Sequence, residues 1–358
     1  MGKKKPKIFV AMSGGVDSSV AAALLKRDGF RVVGVYMQCW TADDPLYKGC
    51  TSLDDERSAR LAASRLEIPF YTWNFIKEYK ERVVEYMLDG YKNGITPNPD
   101  IMCNKEIKFG LFFEKAVKLG ADLVATGHYA RILRESPKSE ARNPKLLQAV
   151  DKNKDQSYFL SFIKPDVISR TLFPVGNYTK LQVRELARTF NLPNAERKES
   201  QGICFIGKVD FEEFLKQHIP AKPGEVVNTA GKVLGKHDGL VLYTIGQRKG
   251  IKLSGGPYFV VRKDFQKNQV VVSKNQEDLE EKEVVLHSMN WFEKPEHFPA
   301  GGLQARIRYR QPTAEATLAQ AENGLYKVIF EKPQRAITSG QFGVLYQKDQ
   351  LIGGGVIQ

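Results

Sequence analysis

The sequence feature that most constrains the fold is a glycine-rich turn between an apolar run and a helical pattern. The run Ile8–Met12 is apolar throughout, as in a buried parallel strand, and the apolar spacing from Val20 to Leu25 is typical of a helix. The turn between them reads Ser-Gly-Gly-Val-Asp-Ser-Ser over residues 13–19. Glycines let a backbone approach an anion closely, and the first amides of a helix point toward it. The sequence therefore predicts a phosphate-binding loop at the start of an α/β domain.

The residues of this loop indicate which phosphates it binds. A kinase-type loop would read G-x-x-x-x-G-K-[ST], whereas this loop has no lysine and carries Asp17 inside it. The pattern S-G-G-x-D-S resembles the loop of the ATP pyrophosphatase (PP-loop) family, which holds the pyrophosphate end of ATP. Enzymes with that loop transfer AMP to an oxygen and release pyrophosphate. The alternative is an ordinary strand-turn-helix corner that binds nothing.

Alternating strand and helix patterns up to residue 207 predict a parallel sheet with helices on both faces. The predicted strands are Ile8–Met12, Arg31–Met37, Phe70–Phe75, Asp122–Thr126 and Leu146–Val150, and the predicted helices are Ser18–Asp28, Asp54–Leu66, Lys77–Lys92 and Lys105–Leu119. Thr179 and Gln182 have the spacing of a capping box, which predicts a helix that runs to Phe190. These elements define a domain over residues 1–207.

The pattern changes after residue 207. A helix over Phe211–His218 precedes three short predicted strands, Val226–Asn228, Lys232–Leu234 and Val241–Ile245, in a small central β-rich domain over residues 208–282. Residues 283–358 are almost wholly strand-like, with predicted strands Val284–His287, Leu303–Tyr309, Thr313–Ala319, Tyr326–Glu331 and Gly343–Tyr346. Short, closely spaced strands with turn signals predict a C-terminal β-barrel or sandwich.

Charge and cysteine usage narrow the functional class. The chain carries 54 Lys and Arg against 41 Asp and Glu, a formal net charge of +13, which favours a polyanionic partner. Four cysteines without a C-x-x-C pair are typical neither of a disulfide scaffold nor of a zinc site, so we expect reduced thiols and a cytoplasmic protein. No apolar run approaches ~18 residues, so we expect no membrane span, and the basic start lacks the apolar region of a secretory signal.

A second constellation lies in the stretch from Thr96 to Asn104. Two prolines fix a rigid turn, and Cys103 precedes the helix predicted to begin near Lys105. A thiol at a helix start has its thiolate favoured, and Asp100 is close enough in sequence to act as a general acid or base beside it. The alternative is that Cys103 is inert, as most lone loop cysteines are.

Three further residues are candidates for the same crevice, because ligands of open α/β sheets lie beyond the carboxyl ends of the strands. Gly127 follows the fourth predicted strand and would let the backbone approach the nucleotide, although it has an alternative as a plain turn glycine. His128 is equally compatible with a structural turn. Met37 ends the second strand, where it would contact adenine or simply fill the core.

Cys204 is the second candidate for sulfur chemistry. It lies between polar and apolar residues, where the alternative is a buried strand cysteine. If Cys103 and Cys204 meet in the fold, one thiol would carry a persulfide and the other would resolve it by thiol–disulfide exchange.

Two stretches are candidates for contact with a polyanion. Residues 154–158 combine charge, amide and aromatic groups. In the stretch from Arg306 to Gln311, strand alternation would place Arg306, Arg308 and Arg310 on one face, with Tyr309 on the other. The alternative is a solvated strand face, but the positive net charge favours binding.

The motifs S-G-G-V-D-S-S, T-P-N-P-D-x-x-C-N, T-G-H-Y-A-R, K-D-Q-S-Y-F-L, S-Q-G-I-C-F-I and R-I-R-Y-R-Q occur in this order over nearly the whole chain. Together they resemble the tRNA-specific 2-thiouridylases. The resemblance implies an N-terminal PP-loop domain, a small central domain and a C-terminal β-barrel. It also implies a substrate, the wobble uridine 34 of the tRNAs for lysine, glutamate and glutamine.

The resemblance also implies a role for each matching residue. Cys103 matches the nucleophile and Cys204 the persulfide-bearing cysteine, and the two would form a transient disulfide. The ATP site would consist of Ala11, Met12, Ser13, Gly14, Gly15, Val16, Asp17, Ser18, Met37 and Gly127. Asn98, Pro99 and Asp100 would meet the target base, and further tRNA contacts would come from His128, Lys154, Asp155, Gln156, Arg308, Tyr309 and Gln341.

The implied reaction uses ATP as substrate with Mg²⁺, and neither a tightly bound organic cofactor nor a resident protein metal site is expected. The sulfur donor would be a cysteine desulfurase or a sulfur-relay protein. Three alternatives remain: a PP-loop ligase or amidotransferase acting on a small acid, a non-catalytic RNA-binding protein, and an iron–sulfur-dependent thiolation enzyme that uses three cysteines.

Overall fold

A five-stranded parallel sheet forms the centre of the first domain in the computed structural model, which describes residues 5–41, 52–134, 144–198, 211–295 and 302–358. The strand order is β3-β2-β1-β4-β7. The strands, numbered in chain order, are β1 (Lys7–Ala11), β2 (Arg31–Gln38), β3 (Phe70–Asn74), β4 (Leu123–Thr126) and β7 (Thr171–Leu172). The first four confirm the predicted strands, whereas β7 carried too short an apolar run to be predicted.

Helices cover the sheet because apolar strands that are buried on both faces need cover on both sides. The described helices of this domain are Val16–Arg27, Ser52–Arg65, 76–92, 99–118, Pro165–Ser169 and Lys180–Thr189. The predicted capping box is confirmed, since the Thr179 side chain accepts from the Gln182 amide and the Gln182 side chain accepts from the Thr179 amide.

The helix that carries Cys103 begins earlier than predicted. The Asn98 side chain caps it by accepting from the Ile101 amide at 3.1 Å, and Pro99 occupies its first turn. Cys103 therefore lies in the second turn, at the start of a π-helical stretch, Cys103–Phe112, and the prediction of a start near Lys105 is wrong. The proline pair conceals this start because Pro at the first helical position looks like a turn signal.

The strand predicted at Leu146–Val150 does not belong to the parallel sheet. Strands β5 (Ala130–Leu133) and β6 (Lys145–Gln148) form an antiparallel hairpin, and β6 pairs with β17 (Gln350–Ile357) near the end of the chain. Leu146 and Leu351 are opposite each other in this pairing, and both are buried in one core. The first domain thus contributes two strands to the sheet of the last one.

The central domain contains the predicted helix Phe211–His218 and a four-stranded sheet of order β10-β11-β8-β9. Its strands are β8 (Gly224–Asn228), β9 (Val233–His237), β10 (Phe259–Asp264) and β11 (Gln269–Ser273). The strand predicted at Val241–Ile245 is wrong: its first residues form part of a 3₁₀ turn, Leu240–Leu242, in which Leu240 and Leu242 pack against the sheet. Strands β10 and β11 were missed by the sequence analysis.

The last domain is a closed six-stranded barrel, in which β12 pairs with both β15 and β17. Its strands are β12 (Glu280–Trp291), β13 (Leu303–Arg306), β14 (Ala314–Gln320), β15 (Tyr326–Arg335), β16 (Phe342–Gln347) and β17. This confirms the predicted fold class. Strand β13 ends at Arg306, so the longer strand predicted to reach Tyr309 is wrong.

No helix within the described ranges combines the length with the apolar character that crossing a bilayer requires.

Candidate active site

The predicted phosphate loop lies where the strand order of the parallel sheet reverses. The loop after β1 and the turn after β4 leave adjacent strands at their carboxyl ends, where a crevice forms. A Cβ on Gly127 would lie 2.5 Å from the backbone nitrogen of Ser18, so only glycine lets the two segments approach this closely. The fold therefore brings the two predicted glycine elements together.

Hydroxyl groups of the loop itself fix its internal shape. The Ser18 hydroxyl accepts from the Ser13 amide at 3.2 Å and donates to the Gly15 carbonyl at 3.1 Å. The Ser19 hydroxyl also donates to the Gly15 carbonyl. Gly15 is the residue that precedes the helix Val16–Arg27, so the loop leads directly into the helix N-terminus where amides are available to an anion.

The carbonyl oxygen of Gly14 is held from outside the loop. It accepts hydrogen bonds from the Ser58 hydroxyl at 2.7 Å, from the Asn194 side-chain amide at 2.9 Å and from the Arg197 guanidinium at 3.1 Å. Arg197 also pairs with Asp55 at 2.5 Å. Nothing in the sequence pattern singled out these donors, because they come from two elements remote in sequence from the loop.

Asp17 is held at the edge of the crevice by two partners. Its carboxylate accepts from the Tyr129 hydroxyl at 2.8 Å and pairs with the Lys180 ammonium at 2.6 Å. Lys180 begins the helix Lys180–Thr189, and its amide donates to Asp151. Lys180 carries no sequence signal of its own, although it lies directly after the predicted helix cap Thr179, and it provides a largely buried cation beside the loop.

The remaining predicted ATP residues are apolar and buried. Ala11, Met12 and Val16 flank the loop inside the sheet–helix core. Met37 is buried in β2, opposite Trp73 of β3, in the hydrophobic core of the domain. The structure thus places Met37 in the packing position that was its alternative, and a contact with adenine stays a prediction.

The segment before Cys103 is attached to the barrel. The Gln341 side chain donates to the carbonyl of Thr96 at 2.7 Å and accepts from the Asn98 side chain at 3.3 Å. The Thr96 amide donates to the Ser339 carbonyl at 2.8 Å. Asn98 and Gln341, which the sequence predicted separately, therefore lie in one cluster, with Pro99 and Asp100 half-buried beside it.

Cys103 is fully buried, in a core that includes Ile107 and Phe112. The amide of the Asn104 side chain donates to the Asp100 carbonyl at 2.9 Å, which ties the two ends of this first turn together. The influence of a helix N-terminus falls off within the first turn, so the second-turn position gives the Cys103 thiol little of the predicted activation. Its nucleophilic role stays a prediction.

His128 is buried between aromatic rings. Phe109 and Phe173 lie about 6 Å from it, with ring centroids at 5.9 and 6.0 Å, and its Nδ1 lies 2.7 Å from the Thr126 hydroxyl. Burial, with a smaller contribution from the positive charge of Lys108, holds the pKa of His128 well below its ordinary value. The ring is therefore neutral near pH 7 and suits hydrogen bonding better than a charge contact with phosphate.

The predicted contacts Lys154, Asp155 and Gln156 have different surroundings. Lys154 is half-buried. The side-chain oxygen of Gln156 accepts from the Tyr129 backbone amide, and the backbone amide of Gln156 donates to the Tyr129 carbonyl. The Asp155 side chain is fully buried, and it accepts from the Ala149 amide, the Ser157 hydroxyl and amide, and Arg306.

Only part of the arginine stretch faces outward. Arg306 is buried and pairs with Asp155 at 3.0 Å across the domain boundary, so the expectation of three arginines on one exposed face is wrong. The chain turns after β13, which leaves Arg310 exposed and Arg308 exposed except at its guanidinium, which donates to the Ala336 carbonyl at 3.4 Å and to the Thr338 hydroxyl at 3.3 Å. Tyr309 lies against Phe159, with ring centroids 4.3 Å apart. The Asp155–Arg306 pair was not predicted, because the sequence around an arginine does not show which carboxylate it will meet in the fold.

Cys204 and its predicted contact with Cys103 lie outside the described residues. Among the residues that the structure does describe, no group of three His, Cys, Asp or Glu side chains is arranged to hold a metal ion.

Models of three protein families match the chain in succession. They are described as the tRNA methyl transferase HUP domain over residues 6–208, the tRNA methyl transferase PRC-barrel domain over residues 212–274, and the aminomethyltransferase beta-barrel domain over residues 281–357.

Full-length relatives are similar along the whole chain. The tRNA-specific 2-thiouridylase MnmA 1 of Geobacillus kaustophilus (strain HTA426) is 45% identical over 99% of this chain and 96% of its own length. The tRNA-specific 2-thiouridylase MnmA of Legionella pneumophila (strain Paris) is 44% identical over 99% of both chains. That of Alkaliphilus oremlandii (strain OhILAs) is 44% identical over 99% of this chain and 97% of its own.

Proposed function

Since the chain belongs to the family of tRNA-specific 2-thiouridylases, we propose that it is a tRNA sulfurtransferase that converts the wobble uridine of tRNA to 2-thiouridine with ATP. The observation that carries this proposal is the glycine-rich loop at the carboxyl end of β1, where the turn at Gly127 approaches Ser18 so closely that only glycine fits. The proposed tRNAs are those for lysine, glutamate and glutamine.

The first step would activate the base. The C2 oxygen of uridine is a poor leaving group, so it attacks the α-phosphorus of ATP, and pyrophosphate leaves from the other side. The amides at the start of the helix Val16–Arg27 would bind the departing pyrophosphate, and Lys180 lies close enough to the loop to add a positive charge. Mg²⁺, held by phosphate oxygens and Asp17, would supply further charge neutralisation.

The second step would replace the adenylated oxygen with sulfur. The persulfide on Cys204 delivers its outer sulfur to C2, and AMP departs with the oxygen. Cys103 attacks the inner sulfur of Cys204, either before the transfer, which frees hydrosulfide as the nucleophile, or after it. Either order leaves a Cys103–Cys204 disulfide, which an external reductant returns to two thiols.

The buried position of Cys103 fits this chemistry in one respect. A thiol with no exposed surface is protected from solvent oxidants. A wobble base is unstacked at low cost from a single-stranded anticodon loop, so it can enter such a site. Asp100 would serve as the general acid or base beside it.

Replacement of the persulfide cysteine gives the direct test. We expect Cys204→Ser to abolish 2-thiouridine formation, measured by nucleoside mass analysis of tRNA incubated with ATP, Mg²⁺, cysteine and a cysteine desulfurase, which supplies sulfur already at the persulfide level, while tRNA binding is retained. Cys39→Ser is the matched control, because Cys39 is a buried core cysteine without a proposed role. Normal thiolation by Cys204→Ser would rule out the persulfide assignment.

The same assay separates the alternatives. A small-molecule ligase would keep ATP turnover in both cysteine variants and would not need tRNA. A non-catalytic RNA-binding protein would form no AMP with tRNA, ATP and sulfide. Iron in anaerobically purified protein would favour the cluster-dependent enzyme.

The exposed arginines test the RNA partner. We expect Arg308→Ala with Arg310→Ala to weaken tRNA binding by about tenfold and to flatten its salt dependence, because each phosphate contact contributes roughly one unit to the slope. Arg335→Ala, an exposed barrel arginine outside the predicted contact set, is the control. If the salt dependence of tRNA affinity were unchanged, these arginines would belong to a solvated surface that does not contact RNA.

A further inference from the structure

Three side chains converge on a single backbone oxygen of the phosphate loop. Ser58, Asn194 and Arg197 all donate to the carbonyl of Gly14, at 2.7, 2.9 and 3.1 Å. A backbone carbonyl has two lone pairs, so three donors exceed its ordinary complement. Such convergence on one peptide of a binding loop is unusual for packing alone, and we call these three residues the Gly14 clamp.

The orientation of this peptide determines where the next amide points. The Gly14–Gly15 bond is trans, so the N–H of Gly15 points away from the clamped carbonyl. Gly14 has φ of +80°, and a Cβ there would lie 2.2 Å from the carbonyl oxygen of Asp55. The peptide is thus held from behind by packing as well as by hydrogen bonds, with its amide turned to the other side.

We propose that the Gly14 clamp is a positioning device that keeps the Gly15 amide directed at the pyrophosphate portion of ATP. The inference rests on the proposed nucleotide site, and it assigns a role to three residues outside the loop. Without the clamp, only the packing against Asp55 would oppose rotation of the Gly14 carbonyl oxygen toward the phosphates, which it would repel. A preformed donor avoids that reorganisation during binding and reaction.

The donors are themselves held in place. Asn194 is buried, and its amide nitrogen also donates to the Ser19 hydroxyl at 3.0 Å, so its nitrogen side faces the loop. Arg197 is oriented by its ion pair with Asp55. Ser58 belongs to the helix Ser52–Arg65, whereas Asn194 and Arg197 follow the helix Lys180–Thr189. The clamp therefore depends on two separate elements packed behind the loop.

The experiment compares three ligands by calorimetry on the full chain: ATP, pyrophosphate and AMP, each with Mg²⁺. We expect Asn194→Asp to weaken the binding of ATP and of pyrophosphate by about tenfold or more, because a carboxylate cannot donate to the Gly14 oxygen and repels it. The affinity for AMP should change by no more than about twofold, since AMP lacks the β- and γ-phosphates that the Gly15 amide would meet. Asn191→Asp, an exposed site in the same turn, is the control.

A second pair of variants keeps the test decisive if Asn194→Asp does not fold. Ser58→Ala should show the same selective loss, and Ser58→Thr, which keeps the hydroxyl, should restore it. Equal weakening of AMP and ATP, or no weakening in either series, would overturn the clamp. Wild-type protein that binds neither ATP nor pyrophosphate would overturn the proposed function instead.

Discussion

Two acid–base pairs in this molecule have similar distances and different surroundings. Asp17 and Lys180 lie 2.6 Å apart at the edge of the crevice beside the predicted phosphate loop, with side-chain exposures of 32% and 12%. Asp155 and Arg306 lie 3.0 Å apart between the first domain and the barrel, with side-chain exposures of 0% and 8%. The first pair faces a place where a ligand would arrive, and the second faces protein.

The difference shows what each pair can do. An accessible pair in a binding loop can exchange its partner for a phosphate or a cation, because solvent screens the intermediate state. A buried pair cannot open without leaving an uncompensated charge, so it fixes a domain arrangement. The same residue types therefore give an exchangeable site in one place and a permanent joint in the other.

The largest effect is expected at the buried joint. Asp155→Ala should lower the free energy of unfolding by about 3–5 kcal/mol, because Arg306 would remain buried without its carboxylate. Denaturant unfolding of the full chain measures this. The control is Asp349→Ala at the more exposed pair with Arg131, which should cost no more than about 1 kcal/mol.

A different outcome at Asp155 would revive the original prediction. If Asp155→Ala left stability unchanged and weakened only tRNA binding, Asp155 would be an RNA contact and the buried pair would carry no structural role.

The Asp17–Lys180 pair should affect activity more than stability. Lys180→Met is expected to lower kcat/KM for ATP by about 10²-fold, corresponding to about 2.7 kcal/mol, because the cation beside the phosphate loop is lost. Its unfolding free energy should change by less than about 1 kcal/mol. Steady-state kinetics and denaturant unfolding of the same sample give both values.

Lys252→Met provides the matched control for Lys180→Met. Lys252 pairs with Asp238 at 2.7 Å in the central domain, where both side chains are more than half exposed. This variant should leave both kinetics and stability unchanged. A large stability loss in Lys180→Met, with normal kinetics, would make the loop pair structural as well.

The smallest effect concerns pH. Since burial holds the pKa of His128 below its ordinary value, the unfolded chain binds a proton at His128 below about pH 6.5 that the folded chain does not. Folding stability should therefore fall with decreasing pH by up to about 1.4 kcal/mol per pH unit from this residue. Above that range the residue contributes no pH dependence.

His128→Gln should remove the contribution of His128 to the pH dependence of stability. The free energy of unfolding is measured for wild type and variant at pH 7.5 and at pH 5.5, and the wild type should lose more stability than the variant between the two pH values. An equal loss of stability in the two proteins would mean that His128 accepts the proton in the folded state despite its burial.

Local sequence patterns were sufficient to predict the strand, glycine-rich loop and helix at the start of the first domain. The strand, loop and helix around Ser13 to Ser18 are contiguous, so the side-chain and backbone preferences that form them act over a few residues. The capping box at Thr179 was predicted for the same reason. Errors arose where a segment's partner is remote, as for the hairpin that includes Leu146 and pairs with β17.

The candidate site follows the same division. The motif residues Asp17, Asn98 and Gly127 were found in sequence because their chemistry is carried by short patterns. Lys180, and the donors to the Gly14 carbonyl, were not, because their function depends only on where the fold places them.

By itself, the sequence determined the glycine-rich loop between β1 and the helix Val16–Arg27, and the succession of an α/β domain, a small β-rich domain and a barrel. Tertiary structure alone decided that Arg306 is a buried joint, that Gln341 holds the segment before Cys103, and that three remote side chains fix one peptide of the loop. The physical reason is range: backbone propensity and motif spacing act between neighbours, whereas burial and ion pairing depend on distances that only the folded chain defines.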